Sequence, residues 1–432
     1  MNERSRLKYL MRGAVRLLLV LALWVPVGIL GAAHLWGWLL SAYSRGLPIL
    51  ANTALNVSRI SVPTQKAGEP APNWKFAVLG DLGKRYEIFS HFLSQMKQDD
   101  IKFVIICGDL AYRITPEQYE YLHLKIAQSG FDRPIFAAIG HHDVTSKDDY
   151  RLFRRYLGGL NTRRDSQGII NLSYGDPYTE RFAFVVPEHP PFQALFIIFD
   201  HVFRPPDKEQ LLWIEGLVKN YRSQVRHVFL FSHVPIVKAP KEIQKVPSKE
   251  WLMPYERLEE QSPDRKTATL VYELIKIDPG TNQTPLIPLT KSIDPQTKGP
   301  AFLHPLLLKG YDPFYELLDR YKVTAIFSGD LHGYARYQIG STLHFVSGGG
   351  GASLQYPEAL HHYLQVEVRS DGINVRPVVV TDETGFMAKL EQVMIAEIFL
   401  PLVHRPWLYI LLIVWVGGCV VLLRFNRRGV RS

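Results

Sequence analysis

Carboxylates, histidines and one tyrosine gather in five short clusters: Gly80-Asp81-Leu82-Gly83, Gly108-Asp109-Leu110-Ala111-Tyr112, Gly140-His141-His142-Asp143, Ser232-His233 and Gly329-Asp330-Leu331-His332. Carboxylate, phenolate and imidazole groups are hard to borderline donors, the set that binds ions able to activate water for hydrolysis. Taken singly, each cluster has an ordinary explanation. A Gly-Asp pair after a strand is usually a turn, a lone histidine is usually a satisfied core or surface residue, and Tyr112 alone reads as a loop tyrosine. Five clusters in one chain, each holding a metal-capable group, are hard to produce as turns.

Each cluster follows a short apolar run: KFAVLG from Lys75, KFVIICG from Lys102, PIFAAIG from Pro134, HVFLFS from His227 and VTAIFSG from Val323. These runs are rich in Val, Ile and Phe and too short for independent helices, so they read as buried strands. The first three are spaced for βαβ crossovers, with Tyr86 to Gln98 carrying apolar residues at helical spacing. The fold class is therefore α/β. The carboxyl ends of strands in such a sheet form the ligand crevice, which would bring the five clusters to one place. Gln210 to Leu217 reads as a scaffold helix. Residues 236–310, rich in Pro and Lys without a clear strand pattern, read as a large loop insertion. The run Ser347 to Gly351 (SGGGG) has no GK[ST] after it and reads as a tight loop near the site.

In this order the clusters resemble the metallophosphoesterase (calcineurin-like phosphoesterase) superfamily, whose motifs run D, GDxxY, GNH(D/E), H and GHxH, and within it the purple acid phosphatases. The resemblance covers roughly residues 74–380. It implies a four-layer α/β/β/α sandwich holding two metal ions. The purple branch replaces DxH by DxG and supplies a Tyr after GD; Gly83 and Tyr112 match both halves of that exchange. A hard phenolate in place of an imidazole favours a trivalent ion, so the implied cofactors are Fe(III) with a divalent Fe, Zn or Mn.

Carried over residue by residue, the resemblance implies that Asp81, Tyr112 and His332 bind the first metal, Asp109 bridges, and His233 binds the second. Two positions depart from the family: His141 stands where Asn is usual, and Asp330 stands where the first His of GHxH is usual. Ligand number is preserved if both bind the second ion. A carboxylate too short to reach, with the second ion loose or absent, is the opposing reading. His142 would steady the phosphoryl oxygen or protonate the leaving group, with Asp143 orienting its ring, unless His142 replaces His141 as a ligand.

The charge distribution concerns location. Lys and Arg total 50 against 41 Asp and Glu, a formal +9, yet five basic residues fall in residues 1–16 and four in 424–432. Little net charge remains between them, which argues against a nucleic-acid partner. Both basic ends abut uncharged apolar runs, Leu17 to Ser44 (28 residues) and Trp407 to Leu423 (17 residues). These lengths suit transmembrane helices; a cleaved signal peptide and a buried core helix are the respective alternatives. The basic bias places both termini in the cytoplasm and residues 45–406 outside. Cys107 and Cys419 both lie in apolar runs, so no disulfide is expected, which favours a bacterial envelope, periplasmic side, over a secretory lumen.

The expected organisation is a basic N-terminus (1–16), a span (17–44), a linker (45–73), the catalytic domain (74–380), a juxtamembrane segment (381–406), a second span (407–423) and a basic tail (424–432). The expected function is a membrane-anchored phosphoric-ester hydrolase acting on a lipid-linked or soluble phosphate ester. The alternative is an impaired phosphoesterase fold kept as an envelope scaffold. A transporter component is not supported, because the spans hold no intramembrane charge.

Overall fold

The computed structural model describes residues 31–43, 50–63, 72–83, 85–113, 115–144, 150–157, 180–187, 193–202, 206–238, 311–339, 341–354, 360–380 and 385–405, with short strands between 256 and 307 and isolated helical positions near both termini. The chain divides into two compact units, one of Leu47–Thr384 and one combining Met1–Gly46 with Gly385–Ser432.

In the larger unit, the apolar runs become strands β1 (Trp74–Leu79), β2 (Ile101–Cys107) and β3 (Ile135–Ala138), alternating with helices α1 (Tyr86–Gln98) and α2 (Pro116–Gln128). Helix α2 starts where its chemistry dictates: the Thr115 side chain accepts from the Gln118 amide, and Pro116 takes the first turn. Strands β4 (Phe182–Val186) and β5 (Ala194–Ile198), helix α3 (Lys208–Tyr221) and strand β6 (His227–Phe231) follow. After the segment expected to be a strandless insertion come α4 (Asp312–Arg320) and strands β9 (Ala325–Ser328), β10 (Tyr334–Ile339), β11 (Thr342–Ser347), β12 (His362–Val368) and β13 (Ile373–Val379).

That segment differs from expectation. Glu256–Arg257 (β7) pairs with Ala268–Val271 (β8), and β8 pairs antiparallel with β10, extending a sheet. Thr269 and Val271 of the ATLV sequence are β-branched, which suits a strand paired on both sides. Most of the segment lies outside the described residues.

Two mixed sheets result, one ordered β13-β12-β1-β2-β3 and the other β4-β5-β6-β9-β11-β10-β8-β7. Strands β1, β2 and β3 are mutually parallel, as are β5, β6, β9 and β11. Strand alternation sends Phe76, Phe103, Phe196, Phe229 and Phe327 into one shared core. There Phe76 stacks on Phe103 at 5.3 Å and Phe103 meets Phe196 edge-on at 5.2 Å. The alternate positions of β5 and β6, such as Ile197 and Leu230, pack instead against Ile214 and Val218 of α3 and Phe314 and Leu318 of α4. Two sheets joined by an aromatic core, with helices outside, keep the strand ends of both sheets rigid.

In the smaller unit, residues 31–43 are helical, and Phe386–Gln392, a π-helical Val393–Phe399 and Leu400–His404 follow one another. Among the described residues no helix is long and apolar enough to cross a membrane. Much of the expected span 17–44, and all but isolated positions of 407–423, lie outside the described residues.

Candidate metal centre

Strands β1, β2 and β9 each end in Gly-Asp, and each of these aspartates turns sharply. Asp81, Asp109 and Asp330 adopt φ of 61°, 53° and 65°, the left-handed region that non-glycine residues seldom occupy. The repeated strained turn redirects three carboxylates toward one point, a cost that a functional site accounts for. The Asp81 amide donates to Gly108 O at 3.1 Å and the Leu82 amide to Asp109 O at 3.0 Å, tying the first two turns together. Gly108 (φ 79°) allows the approach of β6, because a Cβ there would lie 2.7 Å from the His233 ring.

Ligand atoms of Asp109, His141 and His233 all lie within 4.8 Å of one another. His233 Nε2 is 3.3 Å from Asp109 Oδ1, and His141 Nε2 is 3.6 Å from Asp109 Oδ2. His141 Nδ1 approaches His233 Nε2 at 2.8 Å. Asp330 Oδ1 lies 3.7 Å from His141 Nδ1 and 3.8 Å from His233 Nε2. The two residues that depart from the family pattern thus stand side by side against His233. On the other side, His332 Nε2 is 3.4 Å from Asp81 Oδ1, and the Asp330 amide donates to Asp81 Oδ2 at 2.9 Å.

The rings are held for this purpose. His233 Nδ1–H donates to Cys107 O at 2.9 Å, and His332 Nδ1–H donates to Ser353 O at 2.7 Å, so each presents Nε2 to the carboxylates. Fixing the tautomer through the far nitrogen is how ligand histidines are prepared. Cys107 and Ser353 were invisible as site residues in the sequence, since a carbonyl group carries no residue signature.

The donor set fits metal ions. Asp81 Oδ1 is buried, and its near donor His332 Nε2, at 3.4 Å, forms no well-aligned hydrogen bond with it, so burial penalises this oxygen. Burial raises the Asp81 carboxyl, which His332 and His233 only partly offset. Burial also acts to raise the Asp109 carboxyl, but His233, His141 and the His142 amide outweigh it and hold it down to about 2. His233 resists charge through burial, yet Asp109, Asp81 and Asp330 lift it to about 10. The pocket tolerates one of its buried carboxylates charged and resists the other, a conflict that bound cations remove.

Tyr112, His142 and Asp143 stand around this group, and Asp143 differs from its expected role. Tyr112 is 44% exposed; its ring stacks on His142 at 5.6 Å, with the Arg113 guanidinium 5.9 Å from its centroid. His142 is half-exposed, its amide donates to Asp109 Oδ1 at 2.9 Å, and its Nε2 is 4.0 Å from Asp109 Oδ2. Asp143 does not orient His142. It is wholly buried and accepts from the Leu110 amide at 3.0 Å, the Gly140 amide at 2.9 Å and the Tyr119 hydroxyl at 3.3 Å. The short 3-10 turn His141–Asp143 points its side chain inward, away from the imidazole beside it. Burial, then Asp109, pushes the Asp143 carboxyl up to about 7.

The Gly-rich run is the floor of the site: the Gly350 amide donates to Gly80 O at 2.9 Å and the Ala352 amide to Asp81 O at 2.8 Å. Behind His233, His201 Nδ1–H donates to Val234 O at 2.7 Å, and Tyr311 donates to His201 Nε2. This latch was missed, because neither residue lies in a motif.

Residues 75–272 match the family model described as calcineurin-like phosphoesterase. Among solved structures the chain is similar to a purple acid phosphatase from yellow lupin (Lupinus luteus) seeds, at 15% identity and a TM-score of 0.43, over 75% of this chain and 54% of that one. The chain thus spans about half the length of the lupin protein. It is also similar to GAP50, the anchor in the inner membrane complex of Plasmodium (14%, 0.42, over 73% and 87%), and to a dimetal phosphatase from Danio rerio (11%, 0.41, over 72% and 100%). No curated protein matches the sequence significantly. With the matched family model beginning at β1 and the first four ordered Asp and His motifs standing at strand ends within it, residues 75–272 carry a calcineurin-like phosphoesterase domain.

Proposed function

We propose that this protein is a metal-dependent phosphoric-ester hydrolase of the acid-phosphatase type, held at a membrane by its terminal segments with residues 45–406 on the extracytoplasmic side. The observation that supports hydrolysis is the convergence of Asp109, His141 and His233, with Asp330 beside them and the Asp81–His332 pair adjoining. Asp81 and His332 would hold one ion, Asp109 would bridge, and His141, His233 and Asp330 would hold the other. Two such ions, Fe(III) with a divalent Fe, Zn or Mn, supply Lewis-acid activation of the phosphoryl group and an activated water. Tyr112 is the residue behind the trivalent choice.

His142 is the candidate proton donor to the leaving oxygen: it is half-exposed beside Asp109, and its main chain is pinned by that carboxylate. What favours an enzyme over a scaffold is that both departures from the family pattern supply donors to the same cluster. A site without function would more readily carry apolar side chains there. The membrane reading draws on the uncharged runs and the basic ends of the sequence. The substrate is a phosphate ester outside the cytoplasm, lipid-linked or soluble.

The test is hydrolysis of p-nitrophenyl phosphate and bis(p-nitrophenyl) phosphate by the full-length protein after reconstitution with Fe, Zn or Mn. Metal-dependent turnover of either ester supports the assignment. Turnover of neither ester with any metal supports the scaffold.

A further inference from the structure

Helix 31–43 is built inside out for water. Its buried positions are Ala33, Gly37 and Ser41, spaced by four, while Leu35, Trp36, Trp38 and Tyr43 are each more than half exposed and Leu39 nearly so. A spacing of four residues places the three small side chains on one stripe. At 100° per residue the five large apolar ones cover roughly 160° of the circumference. A Cβ at Gly37 would collide with the Phe399 carbonyl oxygen and stand 3.0 Å from Val403 Cγ2. The small stripe is therefore the seam against Val393–Phe399 and Leu400–His404. That partner buries Ile395, Ala396, Leu400 and Leu402 and exposes Val393 and Ile398, and the helix Phe386–Gln392 before it exposes Met387 and Leu390.

We propose that helix 31–43 and the segment 393–404 form a close-packed helix pair whose outer surface is covered by lipid acyl chains, with Ala33, Gly37 and Ser41 as its seam. Small residues inside and large apolar residues outside are the pattern of helix pairs in a bilayer, where backbone approach replaces the hydrophobic drive. A bilayer, and not a second copy of the chain, suits an apolar surface this broad, which continues an uncharged run beginning at Leu17. Trp36, Trp38 and Tyr43 are the aromatic types of a membrane boundary, and the basic clusters at both chain ends suit anionic headgroups. Gly37 stands seven residues inside the run that ends at Ser44. The seam therefore draws Phe399 and Val403 to membrane depth, so membrane contact begins before Trp407. This rests on the membrane-anchor reading above and adds the pairing.

The test uses full-length protein in vesicles of phosphatidylcholine and phosphatidylglycerol, with Cys419→Ser to remove the native thiol of the second apolar run. Gly37→Cys with Val403→Cys should cross-link under mild oxidation several-fold more than the control Leu35→Cys with Val403→Cys. Vesicles of brominated phosphatidylcholine should quench tryptophan emission, and Trp36→Phe with Trp38→Phe should remove much of that quenching. If Cys at position 37 prevents insertion, Gly37→Ile should lower the thermal midpoint in detergent while Leu35→Ile does not. Vesicle-bound protein with equal cross-linking in both pairs, or a Gly37→Ile variant as stable as Leu35→Ile, overturns the pairing alone. Protein that does not float with the vesicles overturns the anchor reading and the pairing with it.

Discussion

Asp143→Asn should loosen the metal centre without touching a ligand. The Asp143 carboxylate joins the loop after β2 to the loop after β3, accepting from the Leu110 amide at 3.0 Å and the Gly140 amide at 2.9 Å. Asparagine with its oxygen at Oδ2 still accepts from Gly140 and, at 3.2 Å, from Leu110, but turns an NH2 group toward the Leu110 amide and Tyr119 hydroxyl that Oδ1 served. Losing that second acceptor among buried donors costs about 1–3 kcal/mol. Asp143→Ala orphans both amides and the Tyr119 hydroxyl and leaves a void, at about 3–6 kcal/mol. Gly140 packs directly on the Asp109 main chain and carboxylate, so a shifted Gly140 carries His141 away from Asp109. Denaturant midpoints measure the stability loss, and isothermal titration with Zn measures metal affinity. The expected order in both is wild type, then Asn, then Ala. An Asn variant with wild-type midpoint and wild-type affinity would refute the assignment of this carboxylate as the tie between loops.

His141→Asn alone should weaken the second metal, and His141→Asn with Asp330→His should recover it non-additively; simple additivity in metal stoichiometry would show that they share no ion. His344 and His362 are buried, which depresses them to about 3 and about 4. The unfolded chain therefore binds protons that the folded one refuses, and the metal-free protein should lose stability as pH falls below about 6.5, by roughly 3 kcal/mol for His344 at pH 4. His344→Leu should flatten that part of the acid denaturation curve, and an unchanged curve would contradict it. Reporter fusions at residue 60 and residue 432 should report opposite compartments, and equal signals would sink the topology.

The site was legible where chemistry and strand pattern coincide. Parallel strands buried on both faces read as continuous apolar runs, so β1, β2, β3, β6 and β9 announced themselves, and with them the carboxylates and imidazoles at their ends. Strands β4 and β5 flank stretches without motif residues, and β10 to β13 alternate polar and apolar positions; both groups passed unnoticed. The role of Asp143 was misjudged because adjacency in sequence says nothing about direction: in a tight turn, neighbouring side chains diverge, and this one faces the interior. The carbonyl groups of Cys107 and Ser353, and the left-handed turns at Asp81, Asp109 and Asp330, are main-chain properties that residue identity does not encode. The seam at Ala33, Gly37 and Ser41 was hidden by hydropathy, which scores the large residues of a helix and overlooks the small ones that let it pack.

Asp109 is the residue proposed to stand between two ions. Elemental analysis of the purified full-length protein, with and without Asp109→Ala, tests it most directly, because a bridging carboxylate serves both ions and no neighbour replaces it. Two metal equivalents per chain in the wild type, and loss of metal together with phosphoester turnover in Asp109→Ala, is the predicted result. An Asp109→Ala protein that keeps two metal equivalents and normal turnover would contradict the account.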